Sequence, residues 1–400
     1  MISISKLYCN QSFHYDPLRY GRKINENDPY AHKLYLSANL RKPVVVWSMT
    51  RTCNLRCIHC YTDSENKKYD GELTTEEAKS MIDDLTEYQI PALLFSGGEP
   101  LIRKDFFELA QYARKKGLRI VISTNATLID EDTAKKLKET GFVYVGASLD
   151  GIDEVNDKFR GKDGAFKDAV AGIRNAKNAG LKISLRMTLT KYNVNNLEGI
   201  FDFVEKEDVE RICFYHLAYS GRGRTISSED CSKKESRQAV DFILDKTKEL
   251  YNKNLKKDIL TVDNHADGVY IYLKLLKEDE KRAENVKELL EWNGGGANSS
   301  GVGIANIDFF GNVHPDQFWT DYSFGNVKER NFNEIWEDTS DPIMAGLKNR
   351  IPLLKGRCGK CQWVKMCGGS LRVRAKFMYN DPWAEDPACY LTDEEIGILT

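Results

Sequence analysis

From Val44 onward, short apolar or β-branched runs alternate with amphipathic stretches. Runs at 44–49, 93–96, 119–124, 144–149, 183–190 and 211–217 have the length and composition of strands. Between them, apolar residues recur at helical spacing over 78–88, 106–116, 130–140, 166–179 and 197–207. Thr74-Thr75-Glu76-Glu77 and Asp105 stand where helices start, and Gly117, Gly141 and Gly180 where they stop. Strands that alternate with helices of this length predict a parallel sheet with right-handed crossovers. The fold class is therefore α/β. Six units instead of eight predict a partial (β/α)6 TIM-type barrel, open on one side.

Outside that rhythm the pattern changes. Charged helices are predicted at 233–252 and 275–292, around a run at 259–263 and the polar knot Asp263-Asn264-His265-Ala266-Asp267. After Asn293-Gly294-Gly295-Gly296 a hairpin is predicted, 302–309 with 313–318, turning at Phe310-Gly311-Asn312. The chain thus divides into an irregular N-terminal extension (1–42), a barrel core (43–225), a helical connector (226–292) and a C-terminal domain (293–400).

The 58 Lys+Arg residues nearly balance 60 Asp+Glu, a net charge of −2, so no basic excess favours nucleic acid or a membrane surface. No run approaches the ~18 uninterrupted apolar residues of a membrane span. The opening MISISKLYCNQ lacks the apolar core of a signal peptide, and the expected location is the cytoplasm. Seven of the ten cysteines fall into two clusters, which in such a chain points to metal or redox chemistry and not to disulfides. Of the others, Cys213 reads as a small buried residue of a strand, and Cys9 as a candidate reactive thiol.

Cys53-Asn-Leu-Arg-Cys57-Ile-His-Cys60 follows the first predicted strand. Three thiolates can hold three irons of a 4Fe-4S cubane and leave the fourth open to a chelating molecule. Spacing alone also allows a zinc loop with a ligand from elsewhere. Ser96-Gly97-Gly98-Glu99-Pro100 ends the second strand, where two glycines let a ligand approach the backbone and Glu99 adds a carboxylate. Cys358-Gly-Lys-Cys361, with Cys367 and Cys389, makes a closed four-thiolate site suited to a second 4Fe-4S cluster or to zinc.

The C-x3-C-x2-C loop followed by GGEP resembles the radical S-adenosylmethionine (SAM) superfamily, across residues 44–220, with His59 in place of the usual aromatic residue. The resemblance implies that Cys53, Cys57 and Cys60 bind a 4Fe-4S cluster whose open iron is chelated by SAM. Reductive cleavage of SAM then gives a 5′-deoxyadenosyl radical that takes a hydrogen atom from the substrate. It implies SAM contacts at Gly97, Gly98 and Glu99, and at the later strand ends Ser123, Asn125, Ser148 and Arg186. Of these, Ser148 and Asn125 would meet the ribose or carboxylate, and Arg186 the carboxylate. Ser220-Gly221-Arg222-Gly223 follows the sixth strand.

The second cysteine set resembles a SPASM domain, which implies an auxiliary 4Fe-4S cluster on Cys358, Cys361, Cys367 and Cys389. Leu371 and Asp316 stand where further SPASM cysteines belong, so two clusters are expected in total.

Longer strings at 4–9, Leu18-Arg19-Tyr20-Gly21, 44–47, 216–223, 311–319 and 381–395 resemble radical SAM enzymes that trim siroheme-derived tetrapyrroles. One branch removes two acetates from 12,18-didecarboxysiroheme to give Fe-coproporphyrin III; the haem d1 branch acts on propionates. The N-terminal strings side with the first. An iron tetrapyrrole substrate and an external electron donor such as ferredoxin or flavodoxin are implied. For a polycarboxylate macrocycle, Arg372, Arg374 and Lys376 are candidate rim cations, although a solvated face reads the same way. Trp319, Trp363 and Trp383 are candidate walls, and His265 and His314 candidate axial ligands or proton donors. The alternatives are a peptide-modifying, thioether-forming radical enzyme, for whose recognition module the extension 1–42 is expected to be too short, and a non-catalytic iron–sulfur carrier or zinc scaffold.

Overall fold

The computed structural model describes residues 1–13, 16–21 and 42–398; most of the predicted N-terminal extension and the Leu18 side chain lie outside the described residues. The six predicted strands form almost where the pattern puts them: β2 Val44–Ser48, β3 Leu93–Ser96, β4 Ile120–Thr124, β5 Val145–Ser148, β6 Ile183–Leu189 and β7 Arg211–His216, with β1 (Ile2–Ser3) preceding them. They lie side by side in chain order, all parallel.

The crossover helices are Thr75–Glu87, Phe106–Lys115, Glu131–Thr140, Ala165–Asn178 and Leu197–Lys206. Thr74 and Glu77 form a reciprocal capping box at the first. Gly141 ends the third at φ 87°, in the left-handed region that glycine enters without a Cβ penalty.

Side chains alternate across each strand, and the alternation sorts the chemistry. Val45, Trp47, Leu93, Phe95, Ile120, Ile122, Val145, Ala147, Leu185 and Phe214 point outward into one core shared with the helices. The intervening positions Val46, Leu94, Ser123, Ser148, Arg186 and Tyr215 line a cavity inside the barrel.

The sheet is wider than predicted. β8 (Asp258–Val262), the run between the charged helices, pairs in parallel with β7, and β9 (Ile304–Ile307) pairs in parallel with β2. Eight consecutive strands are therefore parallel. Antiparallel β1 closes one edge, and β10 (Asn312–His314) with β11 (Gly325–Asn326) the other. The barrel stays open between β8 and β9, which are not neighbours in the sheet. A five-residue strand flanked by charged helices carries little local signal, because its partner decides its membership.

Other departures are local. The predicted helix at 275–292 starts earlier and breaks at Asp279, giving Ala266–Glu278 and Glu280–Asn293, the second capped by Asp279. A short helix, Glu154–Arg160, was not predicted. The N-terminus is not irregular throughout, since Ile2, Ile4 and Leu7 are buried in the main core. Among the described residues, no helix is long and apolar enough to cross a membrane.

Candidate active site

The chain leaves β2 and turns at once into the cysteine loop, which is pinned from three sides. Cys53 N donates to Glu65 O (3.1 Å), Ile58 N to Phe159 O (3.0 Å) and Arg222 Nε to Cys57 O (2.8 Å). Cys53, Cys57 and Cys60 pack into one small cluster. Each sulfur meets a donor: Leu55 N at 3.4 Å from Cys53, Arg160 Nη1 at 3.6 Å from Cys57 and Ser64 N at 3.4 Å from Cys60. Burial pushes the Cys53 thiol up to about 12 and raises that of Cys57. Left alone such thiols stay protonated, whereas a bound metal deprotonates them and the N–H donors then stabilise the sulfur charge. Three clustered sulfurs with donors already aimed at them fit a three-thiolate cubane site.

The Gly-Gly-Glu turn packs directly against the start of the cysteine loop. A Cβ on Gly97 would lie 2.4 Å from Thr50 O, and one on Gly98 2.2 Å from Thr52 O. Gly98 N and Glu99 N donate to those same carbonyls, at 2.7 and 2.9 Å. What approaches the glycines is the chain's own cysteine loop. Glu99 is fully buried and accepts from Leu101 N, Thr124 Oγ1 and Asn125 N; burial pushes its carboxyl up to about 7. The Asn125 amide donates to Asn54 Oδ1 (2.8 Å) and accepts from Thr127. Gly97, Gly98, Glu99 and Asn125 thus brace the cysteine loop from behind, and none of the four lines the cavity described next.

Ser123, Ser148 and Arg186 do reach the cavity, ≈ 440 Å³, which His59 and Tyr61 of the cysteine loop also line. Arg186 donates to Ser123 Oγ and pairs with no carboxylate among the described residues. Gly146 gives its guanidinium room, because a Cβ there would sit 2.6 Å from Arg186 Nη2. An unpaired, half-buried guanidinium of this kind invites an anion.

Several residues of the site had little sequence signal. Asp150, fully buried, accepts from Thr188 N (2.6 Å) and pairs with Arg160, the same side chain that meets Cys57. Arg160 sits on the unpredicted helix, which hid it. Gly221 of the Ser-Gly-Arg-Gly string would place a Cβ 2.4 Å from Cys60 O, so that string clamps the cysteine loop.

Cys358, Cys361, Cys367 and Cys389 all line a second, small cavity, together with Arg357 and Asp386. Asp386 N lies 3.4 Å from Cys358 Sγ, and Trp363 N 3.4 Å from Cys361 Sγ. Four thiols around one cavity fit a closed four-thiolate site. Among the described residues, no three His, Cys, Asp or Glu side chains converge as ligands of one metal ion. A cubane does not ask for that convergence, since each of its irons takes a separate thiolate.

Residues 47–204 match the radical SAM superfamily. Over 400 residues the chain is 56% identical to Fe-coproporphyrin III synthase of Methanosarcina barkeri, with 99% of each chain covered. The chain belongs to the radical SAM superfamily. It is also 43% identical to pre-heme d1 synthase of Dinoroseobacter shibae, over 90% of this chain and 89% of that one. Native anSMEcpe with bound AdoMet shares the fold at a TM-score of 0.67 and 21% identity, over 89% of this chain and 96% of that structure. Membership in the radical SAM superfamily makes the protein an enzyme that uses SAM and a 4Fe-4S cluster.

In this radical SAM enzyme the expected substrate-side groups largely fall elsewhere. Arg372 and Arg374 are fully buried, neither rim cations nor a solvated face. Arg372 donates to Ala384 O (2.5 Å), and Arg374 holds Asp386 in a two-point pair at 2.9 and 2.8 Å. Lys376 pairs with Asp321 (2.8 Å). Trp319 is buried under Lys376, Trp363 packs on Tyr272 and donates to Glu395 O, and Trp383 packs against Gly346. None of the three lines the large cavity.

His314 has both ring nitrogens engaged, by Tyr322 O (2.7 Å) and Asp308 (3.2 Å), so it clasps its hairpin instead of offering a ligand. His265 does line the cavity, where its Nε2 lies 3.1 Å from the Met1 amino group and burial holds the ring well below its ordinary pKa. Cys9 is buried in the core and burial pushes its thiol up to about 11, the opposite of a reactive thiol.

Proposed function

We propose that this enzyme removes the two acetate side chains of 12,18-didecarboxysiroheme to give Fe-coproporphyrin III. The observation that carries the reading is the 56% identity, through the whole chain, to a protein named Fe-coproporphyrin III synthase. The cavity supports it: one space leads from the cysteine loop into the barrel and holds the unpaired Arg186 guanidinium, suited to a carboxylate of SAM or substrate.

In this reading Cys53, Cys57 and Cys60 hold the SAM-binding cluster, and Ser123, Ser148 and Arg186 contact SAM. Bound together, the cluster and SAM supply the 5′-deoxyadenosyl radical; the chain's own residues position the substrate and exclude water. Cys358, Cys361, Cys367 and Cys389 hold a second 4Fe-4S cluster. An external low-potential donor, a ferredoxin or flavodoxin, provides electrons in the cytoplasm.

The test is anaerobic turnover of 12,18-didecarboxysiroheme with SAM and dithionite, followed by mass spectrometry of the tetrapyrrole. Loss of both acetates is expected. Loss of propionates would instead support the haem d1-type reading, which the 43% identity to pre-heme d1 synthase favours as second choice. Unchanged tetrapyrrole beside active SAM cleavage would sink both.

A further inference from the structure

The cavity wall beyond β7 and β8 carries a carboxyl group that neither cysteine site nor the SAM contacts use. Asp263 follows β8 directly and lines the cavity with His216 and His265. Its Oδ2 is buried and has no hydrogen-bond partner among the described residues. Its backbone sits at φ 68°, in the left-handed region. That conformation is held from outside: Asp263 O accepts from Arg374 Nη2 (2.5 Å) and Ser370 Oγ (3.2 Å), and Arg374 is itself locked by Asp386. The backbone is thus fixed by buried partners while the side chain stays unpaired at the cavity wall. Barrel enzymes place reacting groups at the C-terminal ends of their strands. The charged and titratable groups facing Asp263 are Arg374, the Met1 amino group, Asp316, His216, His265 and Tyr215. Burial outweighs the cations and pushes the Asp263 carboxyl up to about 7.

We propose that Asp263 is the acid that delivers a proton to the departing acetate side chain, a role that rests on the function proposed above. Once a hydrogen atom has left the substrate, the bond from the ring carbon to the side-chain methylene breaks homolytically. The ring keeps one of its electrons, which completes a double bond, and the side chain leaves as the radical •CH2COO⁻. This radical takes one electron from a low-potential one-electron reductant and one proton from Asp263, and becomes acetate. Asp263 is left as a carboxylate and regains its proton from water. A neutral carboxyl suits the task, since it does not repel an anionic side chain as a carboxylate would.

The variant Asp263→Asn keeps the size of the side chain and suits the left-handed backbone. Wild type and variant are compared in turnover with didecarboxysiroheme, in H2O and in D2O, across pH 6 to 8.5. Wild-type acetate is expected to carry one deuterium when formed in D2O. The variant should bind the tetrapyrrole within about threefold in an absorbance titration and still form 5′-deoxyadenosine. Its acetate should fall about 10²-fold, the scale of a lost general acid, and the pH limb near 7 should vanish. Asp263→Glu should recover part of the rate together with that limb. Acetate without solvent deuterium, or an Asn variant with the wild-type rate and pH profile, overturns the proposal while leaving the proposed function standing. Parallel loss of tetrapyrrole binding and of acetate in the Asn variant also overturns it, because the role is then structural. A wild type that releases no acetate at all overturns the proposed function and this proposal with it.

Discussion

Arg160 Nη1 lies 3.6 Å from Cys57 Sγ while the same guanidinium pairs with the buried carboxylate of Asp150. One cation thus serves the sulfur and a carboxylate that would otherwise be buried unpaired. Replacing it by Met should cost roughly 3–5 kcal/mol, the usual result of stripping one partner from a buried pair. It should also make a reconstituted cluster harder to reduce. Chemical denaturation and a redox titration followed by electron paramagnetic resonance measure the two effects; an unchanged midpoint potential would show that Arg160 serves only Asp150.

The two cysteine sets should separate by substitution. Cys57→Ala is expected to abolish 5′-deoxyadenosine formation, because it removes a thiolate from the loop that borders the large cavity. Cys361→Ala, around the second cavity, should spare some SAM cleavage uncoupled from product. Chromatography of the nucleoside after anaerobic incubation reads both, and equal, complete loss in two folded variants would deny the sets separate roles.

Gly98→Ala asks for a Cβ 2.2 Å from Thr52 O. Backbone cannot yield as a flexible side chain can, so the cysteine loop must shift. Overpacking of this kind costs about 1–3 kcal/mol. A lower Tm with reduced iron content per chain is expected. Retention of full iron and SAM cleavage would show that the loop tolerates displacement.

His216 Nε2 lies 3.0 Å from Asp267 Oδ2, and Tyr390 donates to the other Asp267 oxygen (2.7 Å). Burial disfavours the His216 imidazolium, but Asp267 outweighs it and raises the pKa above the model-peptide 6.5. The pair therefore stabilises fully below 6.5 and fades as pH rises through the higher folded-state value. Asp267→Asn should lower the Tm more at pH 6 than at pH 9, in scanning fluorimetry against wild type. An equal loss at both would mean the pair carries no net charge–charge stabilisation.

The strands β2 to β7 and their crossover helices were legible because period 2 and period 3.6 are properties of consecutive residues. The cysteine spacings were legible for the same reason, since a metal-binding loop is local. β8 was not, because five residues flanked by charged helices become a strand only beside β7. The Gly-Gly-Glu turn was recognisable, but its immediate neighbour was not; a Cβ on Gly98 would clash with Thr52, which precedes it by more than forty positions.

Charge was the least legible part. Arg372 and Arg374 have the composition of a ligand rim, yet the second is spent on Asp386 and on the carbonyl of Asp263, 111 positions away. Arg160 meets Cys57 across 103 positions and carried no motif. The amino-acid sequence by itself determined the βα rhythm, the two thiolate sets and the superfamily, all encoded within short windows. Only the tertiary structure decided which cations are neutralised, which carboxyl is left unpaired and which residues face the lumen, because desolvation and ion pairing depend on groups that meet through folding.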